Sequence, residues 1–326
     1  MKMHRKVLVL FFVVFLVVTT LSGCGKNPPD PTPTRPTTDP QPLEAAPELP
    51  LDTQGPLSGV YFNLNDSRFA DEKELAEEKL HDHVCTDEWK LSTGVTLLCD
   101  HHSISLLEQN GQTTVLLEGE GTWDIEELLD DHRFFYHITT VEDAACGIYD
   151  LAARTDHRLT DAAPDPLLIL KNTLFCINNT HGVDGVFQDV IVTRTDLTTY
   201  ETTRLLPDLA QALPALQEMT YTNYDISPDG KLFAILTEQR DLQSQPEIKL
   251  KKTDTTVMIY DLETGQEVGR IKRTGTLHSA NSVSHLLFCA PGEVLLYDYD
   301  LRVLDDPNQS LLWEINPTAL RITIDV

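Results

Sequence analysis

Positive charge is what this chain has least of: 25 lysines and arginines stand against 51 aspartates and glutamates, a formal net charge of −26. So acidic a surface repels phosphate backbones and anionic headgroups, which excludes nucleic acid as a partner. The short motifs of catalysis are missing too. The sequence holds no G-x-S-x-G elbow, no H-E-x-x-H helix and no P-loop. The longest apolar run, Val7 to Val18, is too short to cross a bilayer comfortably as a helix. Adjacent carboxylates such as Glu126-Glu127, Asp130-Asp131 and Asp305-Asp306 point to opposite faces of a strand or lie in solvated turns, so none makes an acid–base pair by itself.

What the first 56 residues do contain is a leader and a tether. Lys2, Arg5 and Lys6 precede the apolar run, which ends in Leu21-Ser22-Gly23-Cys24. This order resembles the signal peptide and lipobox of bacterial lipoproteins. The resemblance implies removal of residues 1–23, lipid on the Cys24 thiol and new amino group, and a place on the extracytoplasmic side of the cell membrane. The alternatives are a secreted chain cleaved nearby and an uncleaved anchor. Loss of the three leader cations takes the net charge from −26 to −29. Residues 24–56 are rich in proline and threonine and poor in large apolar residues. They cannot bury enough surface to fold, and they favour extended polyproline II. At ~3.1 Å per residue they hold the body up to roughly 100 Å from the membrane.

From residue 57 to 326 the pattern is short strands and tight turns. Residues 224–236, "YDISPDGKLFAIL", place Pro228 and Gly230 in a turn between two apolar runs; residues 257–271, "VMIYDLETGQEVGRI", do the same around Gly265. The pair of hairpins resembles a blade of TolB-like and WD40-like β-propellers. The same layout recurs at 88–99 with 103–117, at 123–139 with 146–160, at 166–179 with 189–206, and at 284–299 with 310–325. Five repeats over residues 86–326, at a spacing of about 40–45 residues, imply an all-β propeller of five to six four-stranded blades. Only one copy has the full "SPDGK" turn and none has a Trp-Asp ending, so the resemblance speaks to fold. A pair of β-sandwiches is the alternative. In residues 57–85, "SGVYFNL" (58–64) reads as a strand able to complete a blade and clasp the ring. "FADEKELAEEKL" (69–80) reads as a short acidic helix with Phe69, Ala76 and Leu80 on one face. The polar insertion 238–254 reads as a loop.

Besides Cys24 there are five cysteines, an odd number that cannot all pair within the chain. Cys99, Cys176 and Cys289 stand in apolar runs and read as small buried hydrophobes. "HDHVC" (81–85) and "CDHH" (99–102) form the most distinctive cluster. A hairpin turning at Ser92-Thr93-Gly94 pairs residues whose numbers sum to 186, which sets Cys85 opposite His101. Alternation then puts His83, Cys85, Cys99 and His101 on one face, a donor set that suits zinc. A Cys85–Cys99 disulfide and plain structural roles compete with it.

Three expectations follow. The first is a membrane-anchored lipoprotein whose propeller is a non-catalytic binding or scaffolding surface for a protein or glycan. The second is a propeller enzyme of glycosidase or lyase type acting on cell-surface glycans. The third is a metal-binding lipoprotein using residues 83–101.

Overall fold

A computed structural model describes residues 48–81, 88–140, 144–159, 165–181, 187–207, 209, 220–239, 251–278, 282–306 and 309–325. Cys24 and the residues expected to form a leader lie outside them. Leu43–Val326 forms one compact unit. Among the described residues it is all-β with one α-helix of several turns, α1 (Ala70–His81), and no helix is long and apolar enough to cross a membrane.

The strand-rich repeats fold as antiparallel meanders. In the five-stranded sheet, β14 (Thr220–Ile226), β15 (Leu232–Gln239), β16 (Lys251–Asp261) and β17 (Glu267–His278) pair in chain order. β10 (Asp165–Leu170), β11 (Thr173–His181), β12 (Phe187–Asp196) and β13 (Thr202–Leu205) form a four-stranded sheet of the same plan. The hairpins at 224–236 and 257–271 are therefore as the turns predict. The ladder between β15 and β16 extends to Gln239 opposite Asp254. Both ends of the insertion expected as a loop are thus strand, and Glu238 there is buried.

Three expectations are corrected. The first two repeats are not separate: β3 (Glu88–Lys90), β4 (Thr96–Cys99), β5 (His101–Leu107), β6 (Thr113–Leu128), β7 (Arg133–Thr139), β8 (Ala144–Asp150) and β9 (Thr155–Leu159) make one seven-stranded sheet. β6 serves both halves, pairing with β5 mainly before Gly121 and with β7 after it. Gly121 has φ 115°, a backbone region open to glycine, and lets the strand change direction. Residues 310–325 are not a hairpin. They form one strand, β20 (Gln309–Ile324), in which Asn316-Pro317-Thr318 is a bulge rather than a turn. The missing strand of that sheet comes from the other end of the body: β2 (Leu57–Asn63) pairs along β20, beside β19 (Glu293–Asp306) and β18 (Ser282–Ala290). The strand expected over residues 58–64 is thus present and adds to that sheet. Finally, the segment expected as tether to residue 56 ends in a strand, β1 (Leu51–Gln54), which pairs on the outer edge of β17.

Successive sheets stack face to face, which is why their central strands are apolar without alternation. Phe233 and Ile235 of β15 enter a core shared with Phe175, Ile177, Val190 and Val192 of the β10–β13 sheet. Ala234 and Leu236, one residue along, enter the core shared with Leu286, Phe288, Leu296 and Leu320 of the terminal sheet. Phe135, Cys146 and Ile148 meet Leu174 and Cys176 across the preceding seam. Each fully buried Leu, Ile or Phe contributes about 1.5–3 kcal/mol. The outer face of the terminal sheet is covered by α1 (Ala70–His81), the acidic helix expected over 69–80, with Ala76 fully buried on Leu287, Leu295 and Tyr297. Arg321 of β20 pairs with Glu72 of α1 and lies 5.3 Å from each of the Phe62 and Phe69 rings. That clamp and the Ala76 contact hold the helix in place.

Candidate functional site

One polar cluster at a seam stands on β6 and β7. Asp124 pairs with His137 in register, and the ladder then slips by one residue between Ile125 and Glu127, leaving Glu126 as a bulge. Bulges re-aim a side chain, and here the extra residue brings the Glu126 carboxylate onto His137 Nδ1. His137 Nε2 lies 3.0 Å from Thr139 Oγ1 and 3.9 Å from Asp124. His137 shares its face of β7 with Phe135, so the cluster caps the core between the seven-stranded sheet and the β10–β13 sheet.

The electrostatics follow from that placement. The Glu126 hydrogen bond raises the His137 pKa, burial opposes it, and the charges of Glu126, Asp124 and Asp165 add to the rise. Burial raises the Asp165 carboxyl on β10, reinforced by Glu126 and partly offset by His137. A protonated imidazolium thus offsets carboxylates contributed by two sheets. Such a His–carboxylate pair can hold a proton, exchange one with a ligand or orient a hydroxyl.

The opposite face of the same strands is aromatic. Trp123 and Tyr136 stack at 5.6 Å, and Tyr136 donates to Asp156 at 2.6 Å. The Arg158 guanidinium lies over both rings at 5.2 and 5.4 Å. Gly147, opposite Tyr136 in register, makes this arrangement fit: a Cβ there would meet the Tyr136 hydroxyl at 2.5 Å. Tyr136 and Trp123 are buried, so they are packing residues.

A second polar seam joins the five-stranded and terminal sheets. Asn223 and Asp225 of β14 accept the backbone N–H groups of Leu286 and Phe288 on β18, at 2.8 and 2.7 Å. Each side chain satisfies an edge donor that would otherwise invite another strand. His285 lies 2.6 Å from the Tyr299 hydroxyl and 3.5 Å from Asn223.

The residues singled out for metal fall as follows. His83 and Cys85 lie outside the described residues. The β3–β4 register is the expected one, with Glu88 opposite Leu98, Trp89 opposite Leu97 and Lys90 opposite Thr96. The chain then reverses at Asp100, whose carboxylate accepts from the N–H groups of His102 and Ser103 at 3.0 and 2.7 Å. Cys99 therefore ends β4 with its thiol directed to the Trp123 carbonyl at 2.8 Å, while His101 opens β5 opposite Trp123. The straight strand assumed to carry both does not exist. Among the described residues no group of three or more His, Cys, Asp or Glu is placed to hold a metal ion. Cys99, Cys146 and Cys176 are buried as small apolar residues, and Cys289 is half-buried. Burial pushes the Cys146 and Cys289 thiols up to about 12, far from a reactive thiolate.

Sequence reasoning missed the Glu126–His137 pair. The signal was there in Asp124 and Glu126, two apart on a strand, with a histidine inside the neighbouring "FFYHIT". The one-residue slip that joins them is not written in either strand.

No protein-family model matches the chain, and no curated protein matches it. Among solved structures it is similar to a TolB described as putative from Agrobacterium tumefaciens, at 16% identity over 61% of this chain and 70% of that one, TM-score 0.31. It is similar to Kuenenia stuttgartiensis hydrazine synthase at 13% identity over 65% of this chain, TM-score 0.39; that match spans 63% of the synthase chain, less than two thirds. An oligogalacturonate lyase in complex with manganese matches at 12% identity over 73% of this chain and 76% of that one, TM-score 0.35. Likenesses this distant carry no argument about this chain, and its architecture rests on its own strand order: an all-β body of antiparallel meanders stacked face to face.

Proposed function

We propose that this is a lipid-anchored protein of the extracytoplasmic face of a bacterial membrane, with a β-propeller body that serves as a non-catalytic binding or scaffolding surface. One observation carries the reading: consecutive meanders stack face to face, and β2 from the start of the body completes the sheet that ends the chain. Radial stacking covers sheet faces, and a terminal clasp of this kind holds a ring shut. The anchor is Cys24, and the proline-rich segment after it is the spacer. The working surface is the end of the stack away from the turn at Asp229-Gly230, where the Glu126–His137 cluster lies. An acidic body selects a cationic protein segment or an uncharged glycan over an anionic partner.

Replacing Cys24 with alanine should move the protein from the membrane fraction to the soluble fraction. Cross-linking of the anchored protein on intact cells should capture a partner that substitutions at the Glu126–His137 end release. Turnover of a cell-surface glycan by the purified protein would overturn the non-catalytic reading. The pairing of His137 with Glu126 beside Asp165 favours that second reading, a glycosidase or lyase, and Glu126→Gln would then abolish turnover.

A further inference from the structure

Glu238 of β15, Thr255 of β16 and Arg273 of β17 form one rung of the five-stranded sheet, since Glu238 pairs with Thr255 and Thr255 with Arg273. Strand alternation puts all three on the face that carries Leu236, Val257 and Ile271 into the terminal sheet. The rung is interior: Glu238 is 0% exposed, Thr255 1% and Arg273 3%. Arg273 reaches across the seam, donating to the two Asp298 oxygens at 2.9 and 2.8 Å and to Ser284 Oγ at 3.0 Å. Ser284 in turn donates to Asp298 at 2.6 Å. Tyr61 of β2 packs against the same core.

This network leaves polar atoms over. Arg273 Nε and Thr255 Oγ1 are closed off from solvent and have no hydrogen-bond partner among the described residues. A buried donor left unmet is costly, and native interiors rarely keep one. The chemistry of what meets them is constrained. Nε–H requires an acceptor, which rules out a metal ion or an ammonium group. Asp298 already neutralises the guanidinium and Glu238 adds a second carboxyl group to the rung, which disfavours an anion. What remains is a small neutral molecule with both lone pairs and protons.

We propose that Thr255 and Arg273, opposite one another in register, form a binding site for a buried water molecule. It accepts from Arg273 Nε and exchanges a hydrogen bond with the Thr255 hydroxyl, within the two to four partners usual for an internal water. The site bridges β16 and β17 on the face turned to the terminal sheet.

Thr255→Val, nearly isosteric, tests the site by the sign of its effect on the full-length protein. With a water in place, valine removes one of its partners, and Tm should fall by about 2–5 °C. If the hydroxyl is instead unmet, valine relieves it, and an unchanged or raised Tm overturns the proposal. A high-resolution crystal structure of the wild-type protein gives the direct answer. An ordered water within hydrogen-bond distance of Arg273 Nε and Thr255 Oγ1 is expected. Direct protein partners for both atoms, or no density between them, would refute it.

Discussion

The backbone N–H of Leu262 donates to the carbonyl of Lys231 across 2.8 Å, tying the turn between the third and fourth strands of its sheet to the turn between the first and second. Leu197 does the same to Asn172 at 2.8 Å, and Leu151 to His132 at 2.7 Å. In the opening hairpins the link is a side chain, Gln109 Nε2 to the Thr93 carbonyl at 3.0 Å. Three of these turns begin with an aspartate followed by leucine, at 150–151, 196–197 and 261–262. The repeat is thus a repeated hydrogen bond as well as a repeated strand pattern.

Asp261 should be the most sensitive of these turn residues. It accepts from Glu263 N, Thr264 N and Thr264 Oγ1 at 3.0, 2.6 and 2.8 Å. Asp261→Ala is expected to cost about 1–2 kcal/mol, read as a lower urea midpoint with an unchanged slope.

Gly147→Ala should destabilise by about 1–3 kcal/mol through overpacking, because the added methyl meets the buried Tyr136 hydroxyl. Pairing it with Tyr136→Phe should recover part of the loss. Equal thermal shifts for the single and double variants would contradict this account.

The ion pair of Arg273 with Asp298 is buried at the arginine and part-buried at the aspartate, at 4% and 14% side-chain exposure. Arg273→Met leaves Asp298 charged in the seam and should cost about 3–5 kcal/mol, whereas Arg273→Met with Asp298→Leu should cost much less. Chemical denaturation of the four proteins in the cycle decides it.

At the Glu126–His137 cluster the histidine pKa is raised in the fold, first by the Glu126 hydrogen bond. A raised value means stability that is fully present below the unfolded histidine value of about 6.5 and lost as pH rises through the folded value. Asp165, also raised, has the same sign. On the acid side the turn aspartates act in reverse. Backbone hydrogen bonds lower the pKa of Asp196 and Asp261, so their contribution is present above about pH 4 and falls away below it. The expected result is a Tm that declines on both sides of mildly acidic pH. In Glu126→Gln the alkaline decline should be weaker, and His137 should titrate lower by NMR.

Much of the fold is legible from local sequence. "SPDGK" and "DLETG" make turns wherever they stand, and the β3–β4 register follows from Ser92-Thr93-Gly94 alone. The acidic helix is equally local. The site is less legible, because Asp124, Glu126 and His137 converge only through a slip in the ladder. Neither the reversal at Asp100 nor the bulge around Pro317 announces itself, since both turn on how a neighbouring strand pairs.

By itself, then, the sequence determines the acidic character, the strand and turn rhythm, and the rule that central strands are apolar on both faces. Those properties are set by composition and by residues within a few positions of one another. Tertiary structure decides that β2 completes the sheet of β18–β20, that one bent strand serves two halves of a sheet, and that Arg273 meets Asp298 across a seam. Each depends on register between distant segments, where the side-chain period of two makes a shift of one residue exchange the buried face for the exposed one.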